Sequence, residues 1–129
     1  MSGSNIFVDT NILLYLLSGD KTLAELLNGK HLYISFITQM ELLGYPGLTK
    51  ENQKTIKELL AQCTIIDIND DIKSLAVKIK QATSIKLPDA IIMASALYMD
   101  VPIITADEDF KKYEELDLIF YKLENKSTL

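Results

Sequence analysis

The stretch Asn5-Ile6-Phe7-Val8-Asp9-Thr10-Asn11 decides the fold. A short apolar run ends in a carboxylate, passes two hydrogen-bonding residues, and meets the wholly apolar Ile12-Leu13-Leu14-Tyr15-Leu16-Leu17. A strand that turns into an apolar helix within so few residues opens an α/β unit. It leaves Asp9 at the strand's carboxyl end, where open parallel sheets bind their ligands. A carboxylate there must be solvated, capped or paired with a cation, because burying it bare is expensive. The functional question is whether other acids arrive at the same place.

Outward from this unit the alternation continues. Asp20 is placed to cap a helix over 21–28, which Gly29 stops, and His31-Leu32-Tyr33-Ile34 reads as a second strand. A helix over 35–43 breaks at Gly44-Tyr45-Pro46-Gly47, and Thr49 opens another that runs to Gln62. The β-branched run 63–68 predicts the third strand, and Asn69 or Asp70 caps a helix to Thr83. Pro88 suits the first turn of the next helix, 89–99, which is apolar nearly all round and therefore predicted to be buried. Ile103-Ile104-Thr105 is the fourth strand, 108–113 a short helix, and Leu118-Ile119-Phe120-Tyr121 the fifth strand. This order predicts an α/β fold: a three-layer α/β/α sandwich around a mostly parallel five-stranded sheet.

Bulk properties narrow the classes. The 129 residues suit one domain over 1–129, and 48% hydrophobic with 24% charged residues is the balance of a globular chain. Residues 1–4 read as a cloning remnant or an unordered start, without the basic and apolar regions of a secretion signal, and 123–129 as a frayed end. The apolar stretches are too short to cross a bilayer. A single cysteine, Cys63, excludes an internal disulfide framework and points to the cytoplasm. The net charge is −5 and all thirteen basic residues are lysines, which argues against a stand-alone nucleic-acid binder that works by counterion release. It argues less against an enzyme whose acids are pooled around a cation.

Three further acids sit where an acid is awkward for the fold. Glu41 lies within an apolar helix, Asp89 begins the most buried helix, and Asp107 follows the fourth strand as Asp9 follows the first. If the strand order reverses between strands one and four, Asp9 and Asp107 share one crevice, and the helix carrying Asp89 can point into it. Anionic carboxylates gathered there must partly protonate unless a cation neutralises them. All-oxygen ligation suits Mg²⁺ or Mn²⁺, and such a site positions a phosphodiester and activates a water. Singly, each acid has a blander reading. Asp9 serves as a helix cap, Asp89 as a dipole partner, and Glu41 as a solvated face residue. Thr105 with Glu108 matches a capping box. Asp109 reads as a first-turn acid with a smaller chance of ligation.

The blocks Asp9-Thr10-Asn11, Glu41 in the helix after Ser35, Leu87-Pro88-Asp89-Ala90-Ile91-Ile92-Met93-Ala94-Ser95-Ala96-Leu97 and Ile104-Thr105-Ala106-Asp107-Glu108-Asp109-Phe110 together resemble the PIN domain. The resemblance is closest to the VapC-type ribonuclease toxins of toxin–antitoxin pairs and spans essentially the whole chain. It implies a Mg²⁺- or Mn²⁺-dependent endoribonuclease with one or two ions held by Asp9, Glu41, Asp89 and Asp107. Asp109 is placed to share the last role. The resemblance also implies that Asn11 orients the first aspartate and that the Thr105 hydroxyl supports the site. Ala106 departs from the family pattern. An antitoxin protein in an apolar groove and a homodimer are implied as partners. The groove expected for it combines the helix 12–17, the helix from Lys21 and the Tyr45-Pro46 loop.

Substrate contact falls to lysines, with Lys86, just before Asp89, the nearest; Lys111 and Lys112 read as solvated charges. His31 and Cys63 read as surface and packed residues, so no nucleophile–base pair competes. A haloacid-dehalogenase-like phosphatase needs a second aspartate two residues after the first, where this chain has Asn11. A receiver domain needs an acidic pair after strand one. A catalytically silent PIN domain that only binds a partner is the alternative from another class.

Overall fold

The computed structural model describes residues 4–123. The expectations for residues 1–3 and 124–129 lie outside that span. In chain order the elements are β1 Asn5–Val8, α1 Thr10–Leu17, α2 Lys21–Leu27, β2 His31–Ser35, α3 Phe36–Leu43, α4 Lys50–Ala61, β3 Thr64–Ile66, α5 Asp70–Ala82, α6 Leu87–Met99, β4 Ile103–Thr105, a 3₁₀ turn Glu108–Lys112, and β5 Leu118–Phe120. The sheet order is β3-β2-β1-β4-β5, and every neighbouring pair is parallel. The chain therefore winds outward from central β1 in one direction, then returns to its other side with β4. That reversal opens a crevice at the carboxyl ends of β1 and β4.

The period of two along the strands sorts the core into two layers. Ile6 and Val8 of β1, Ile34 of β2 and Ile104 of β4 pack with Ile12, Leu13, Leu23, Leu27, Leu42, Ile56 and Leu60 from α1 to α4. Phe7 and Ile103 point the other way, onto α5, α6 and the segment carrying Phe110, Tyr113 and Leu116. The predicted burial of α6 holds: Ala90, Ile92, Met93, Ala94, Ser95 and Ala96 are all buried. Ser95 satisfies its hydroxyl within the helix, donating to the Ile91 carbonyl at 2.8 Å. Pro88 occupies the first turn of α6, as the sequence indicates.

Caps set the other boundaries. Asp20, Ser35, Thr49 and Asn69 each accept a backbone N–H from the first turn of the following helix. Helix α6 ends at Asp100, whose φ of 56° and ψ of 46° place it in the left-handed region. Its N–H closes on the Ala96 and Leu97 carbonyls, and the chain then turns through Pro102 into β4. An L-residue without a short polar side chain is penalised there. Asp100→Ala is expected to cost about 1 kcal/mol, and Asp100→Gly to be neutral or stabilising by up to ~1 kcal/mol. Urea unfolding of the two variants checks this.

Candidate active site

The site is assembled from four separate segments. Asp9 follows β1 directly and caps α1; its N–H still donates to the Ile104 carbonyl at 3.1 Å, prolonging the β1–β4 ladder by one residue. The parallel register Val8↔Ile104 then puts Asp9 beside Thr105, the last residue of β4. The buried Thr105 hydroxyl donates to Asp9 Oδ2 at 2.6 Å, while the Thr10 N–H donates to Oδ1 at 2.8 Å. Thr105 Oγ also accepts from the Asp107 N–H at 3.0 Å, so one side chain fixes both strand-end acids. Asp107 in turn caps the 3₁₀ turn, Oδ1 accepting from the Asp109 N–H at 2.9 Å. Phe110, fully buried, pins that turn to the sheet.

From the other side, α3 brings Glu41, whose Oε1 accepts from the Thr10 hydroxyl at 2.7 Å. Helix α6 brings Asp89 in its first turn. Asp9, Glu41, Asp89 and Asp107 line one pocket of about 370 Å³, together with Thr10, Asn11, Leu14, Gly44, Tyr45 and Pro46.

Charge is expensive here. Burial, above all, raises the Asp9 carboxyl from the ordinary 3.8 to about 6; hydrogen bonds from Thr105 and Thr10 oppose that, and the negative Asp89 and Asp107 add to it. Asp9 is only 3% exposed, so water screens little of this. Asp89 is also raised, first by burial and then by Asp107 and Glu41, with Lys86 pulling the other way. A hard divalent cation is what such an all-oxygen, mutually repelling set fits. Among the described residues no three acid, histidine or cysteine side chains are gathered tightly enough to hold an ion as they stand. Separation is what unneutralised carboxylates favour.

Several expectations change in detail. Asn11 is exposed and lines the pocket without a hydrogen bond to Asp9; Thr10 and Thr105 hold that carboxylate instead. The Thr105–Glu108 capping box does not form, because Thr105 turns to Asp9 and Asp107 caps the turn, leaving Glu108 paired with Lys111 at 3.1 Å. Asp109 is tied to Lys112 at 3.1 Å and lies outside the pocket lining, where Asp107 is found. Lys86 is exposed at the start of α6, outside that lining. Lys111 sits 3.9 Å from the Phe120 ring centre. His31 is exposed and shares a hydrogen bond with Thr64 at 2.7 Å. Burial pushes the Cys63 thiol up to about 11, so it is no nucleophile. Sequence reasoning missed Thr10 as a holder of two acids, and Thr38 behind it at 2.8 Å. The only signal was a second hydroxyl one helical turn before Glu41.

A family model for the PIN domain matches residues 6–116. The chain belongs to the PIN-domain family. Among solved structures it resembles a toxin–antitoxin complex from Klebsiella pneumoniae with 31% identity and a TM-score of 0.79, covering 92% of this chain and 99% of that one. VapBC-1 from nontypeable Haemophilus influenzae matches with 25% identity and a TM-score of 0.73, over 90% of this chain and 97% of that one. VapBC2 from Rickettsia felis, bound to a DNA fragment from its promoter, shares the fold at 20% identity and a TM-score of 0.77, over 92% and 99%. No curated protein matches in sequence.

The raised Asp9 carboxyl has a consequence for stability. Because its folded value of about 6 exceeds the ordinary 3.8, the native state binds the proton more tightly. Stability from this group is full below pH 3.8, falls as pH rises to about 6, and stays low above it. Asp9→Asn removes that loss. In EDTA, the stability of Asp9→Asn relative to the parent is expected to rise by up to about 3 kcal/mol between pH 4 and pH 7. Denaturant melts at the two pH values check the sign.

Proposed function

We propose that this chain is a Mg²⁺- or Mn²⁺-dependent endoribonuclease of the VapC type, the toxin of a toxin–antitoxin pair. The observation that carries the reading is the pocket itself: four acids from four distant segments line it, at the point where the strand order reverses. Asp9, Glu41 and Asp89 are the ligands proposed first, with Asp107 as the fourth acid. Asp109 is the weaker candidate because Lys112 engages it.

Bound there, one or two such cations supply phosphate binding and an acidified water. The chain's own residues do the rest. Thr105 and the Thr10 N–H hold the Asp9 carboxylate at the carboxyl end of central β1, which presets it for the substrate. Asp107 is fixed relative to Asp9 because both answer to Thr105. Lys86, whose charge already acts on Asp89, offers an ammonium to an RNA phosphate at the edge of the site. With no arginine available for a bidentate fork, recognition rests on RNA shape and single-stranded segments.

An apolar groove of about 270 Å³ beside the site supports an antitoxin partner. It is lined by Leu14, Leu17, Tyr45, Leu48, Asn52, Thr55 and Ile56. Helix α4 supplies the wall that the sequence assigns to α2. Exposed Met40 and Leu43 on α3, Val77 on α5, and Leu87 and Tyr98 on α6 support a homodimer through other helices. Among the described residues no helix is long and apolar enough to cross a membrane.

With Mg²⁺ or Mn²⁺, the parent is expected to cleave single-stranded RNA, EDTA to stop it, and Asp9→Asn to lower the rate by roughly 100-fold or more. Gel assays on several unrelated RNAs decide the matter. An Asp9→Asn variant as active as the parent would overturn the assignment. A parent that is stabilised by metal yet cuts none of the RNAs would be a binding module instead.

A further inference from the structure

Thr10 hydrogen-bonds both Asp9 and Glu41. Its N–H donates to Asp9 Oδ1 at 2.8 Å, and its hydroxyl donates to Glu41 Oε1 at 2.7 Å. A hydroxyl has one proton and two lone pairs, whereas an ionised carboxylate only accepts. The Thr10 proton is therefore committed to Glu41. The 2.8 Å contact between the Thr10 and Thr38 hydroxyls must then run from Thr38 to Thr10. Thr38 is fully buried, out of reach of bulk solvent. The relay has one direction: Thr38 to Thr10 to Glu41.

This relay addresses a particular weakness of the site. Asp9 is gripped by Thr105 and the Thr10 N–H at the carboxyl end of β1, but Glu41 is a long, exposed side chain on a different element. Its Oε2 accepts no hydrogen bond among the described residues, so Thr10 supplies the recorded hold. Thr10 is β-branched and starts α1, which limits its own rotamers and makes it a stiff connector. The bond takes one of the two lone pairs on Oε1 and leaves Oε2 unengaged by the described residues.

We propose that Thr10 is the positioning residue that couples Glu41 to Asp9, with buried Thr38 setting the direction of its hydroxyl, so that the two acids act on a divalent cation as one preset pair. The inference rests on the metal-dependent reading of the site and names a residue to which that reading assigns no cation contact. Partners that orient a ligating carboxylate typically carry 10–100-fold in metal affinity.

The test is Mn²⁺ binding by calorimetry without RNA, alongside the Mg²⁺ concentration that half-activates RNA cleavage. Thr10→Val keeps the N–H to Asp9 and the branched shape and removes only the hydroxyl. It is expected to weaken Mn²⁺ roughly 10–100-fold and raise the half-activating Mg²⁺ in parallel. Thr10→Ser restores the hydroxyl and is expected to stay within about 3-fold of the parent, which a purely structural threonine would not require. Because Thr10→Val strands the buried Thr38 hydroxyl, the double variant Thr10→Val/Thr38→Val removes both groups and guards against loss of folding. It should bind Mn²⁺ as weakly as the single variant. A folded Thr10→Val or double variant with parental Mn²⁺ affinity overturns the proposal. A parent that binds Mn²⁺ but cuts no RNA, with the variants weakened, supports the relay and overturns the nuclease. A parent that binds no Mn²⁺ overturns both.

Discussion

The structure depends on the pairing of β1 with β4. Those strands are separated by most of the chain, yet their parallel register brings Asp9 and Thr105 to the same level of the sheet. The 2.6 Å hydrogen bond between them is the contact on which the rest of the site hangs. Through it a nearly inaccessible carboxylate is held in one orientation, and through the same hydroxyl Asp107 takes its place. A one-residue slip in that register would send Asp9 to the opposite face of the sheet.

The arrangement carries a folding cost that the remainder of the domain offsets. Burial raises Asp9 to about 6 and raises Asp89 as well, and the negative charges of Asp89 and Asp107 add to the first, those of Asp107 and Glu41 to the second. Two apolar layers, one on either side of the sheet, supply the stabilisation. Helix α6 is the clearest case, since its first turn delivers Asp89 while Ala90 and the run Ile92 to Ala96 are buried in the core. Strained function and stable packing are thus adjacent parts of a single helix.

Helix α1 serves two surfaces at once. Its first turn presents Thr10 and Asn11 to the acid pocket, and Leu14 lines both that pocket and the apolar groove, as does Tyr45 across from it. This accounts for why the helix is more apolar than a single buried face demands.

Local chemistry in the chain determined the elements. Period-two strands, helical apolar spacing, Pro88 in a first turn and the caps at Asp20 and Thr49 each act within a few residues and were legible without a structure, whereas Ser35 read as part of its helix and proves to be its cap. So were the four acids, because each is conspicuous where the fold prefers an apolar residue or a plain cap. What tertiary structure decided is who holds whom. Thr105 turned to Asp9 rather than to Glu108, Asp107 rather than Asp109 entered the pocket, and Thr10 rather than Asn11 joined two acids. The apolar groove took its wall from α4 instead of α2. Hydroxyls choose among partners by distance and direction across elements far apart in the chain, and no local pattern encodes that choice.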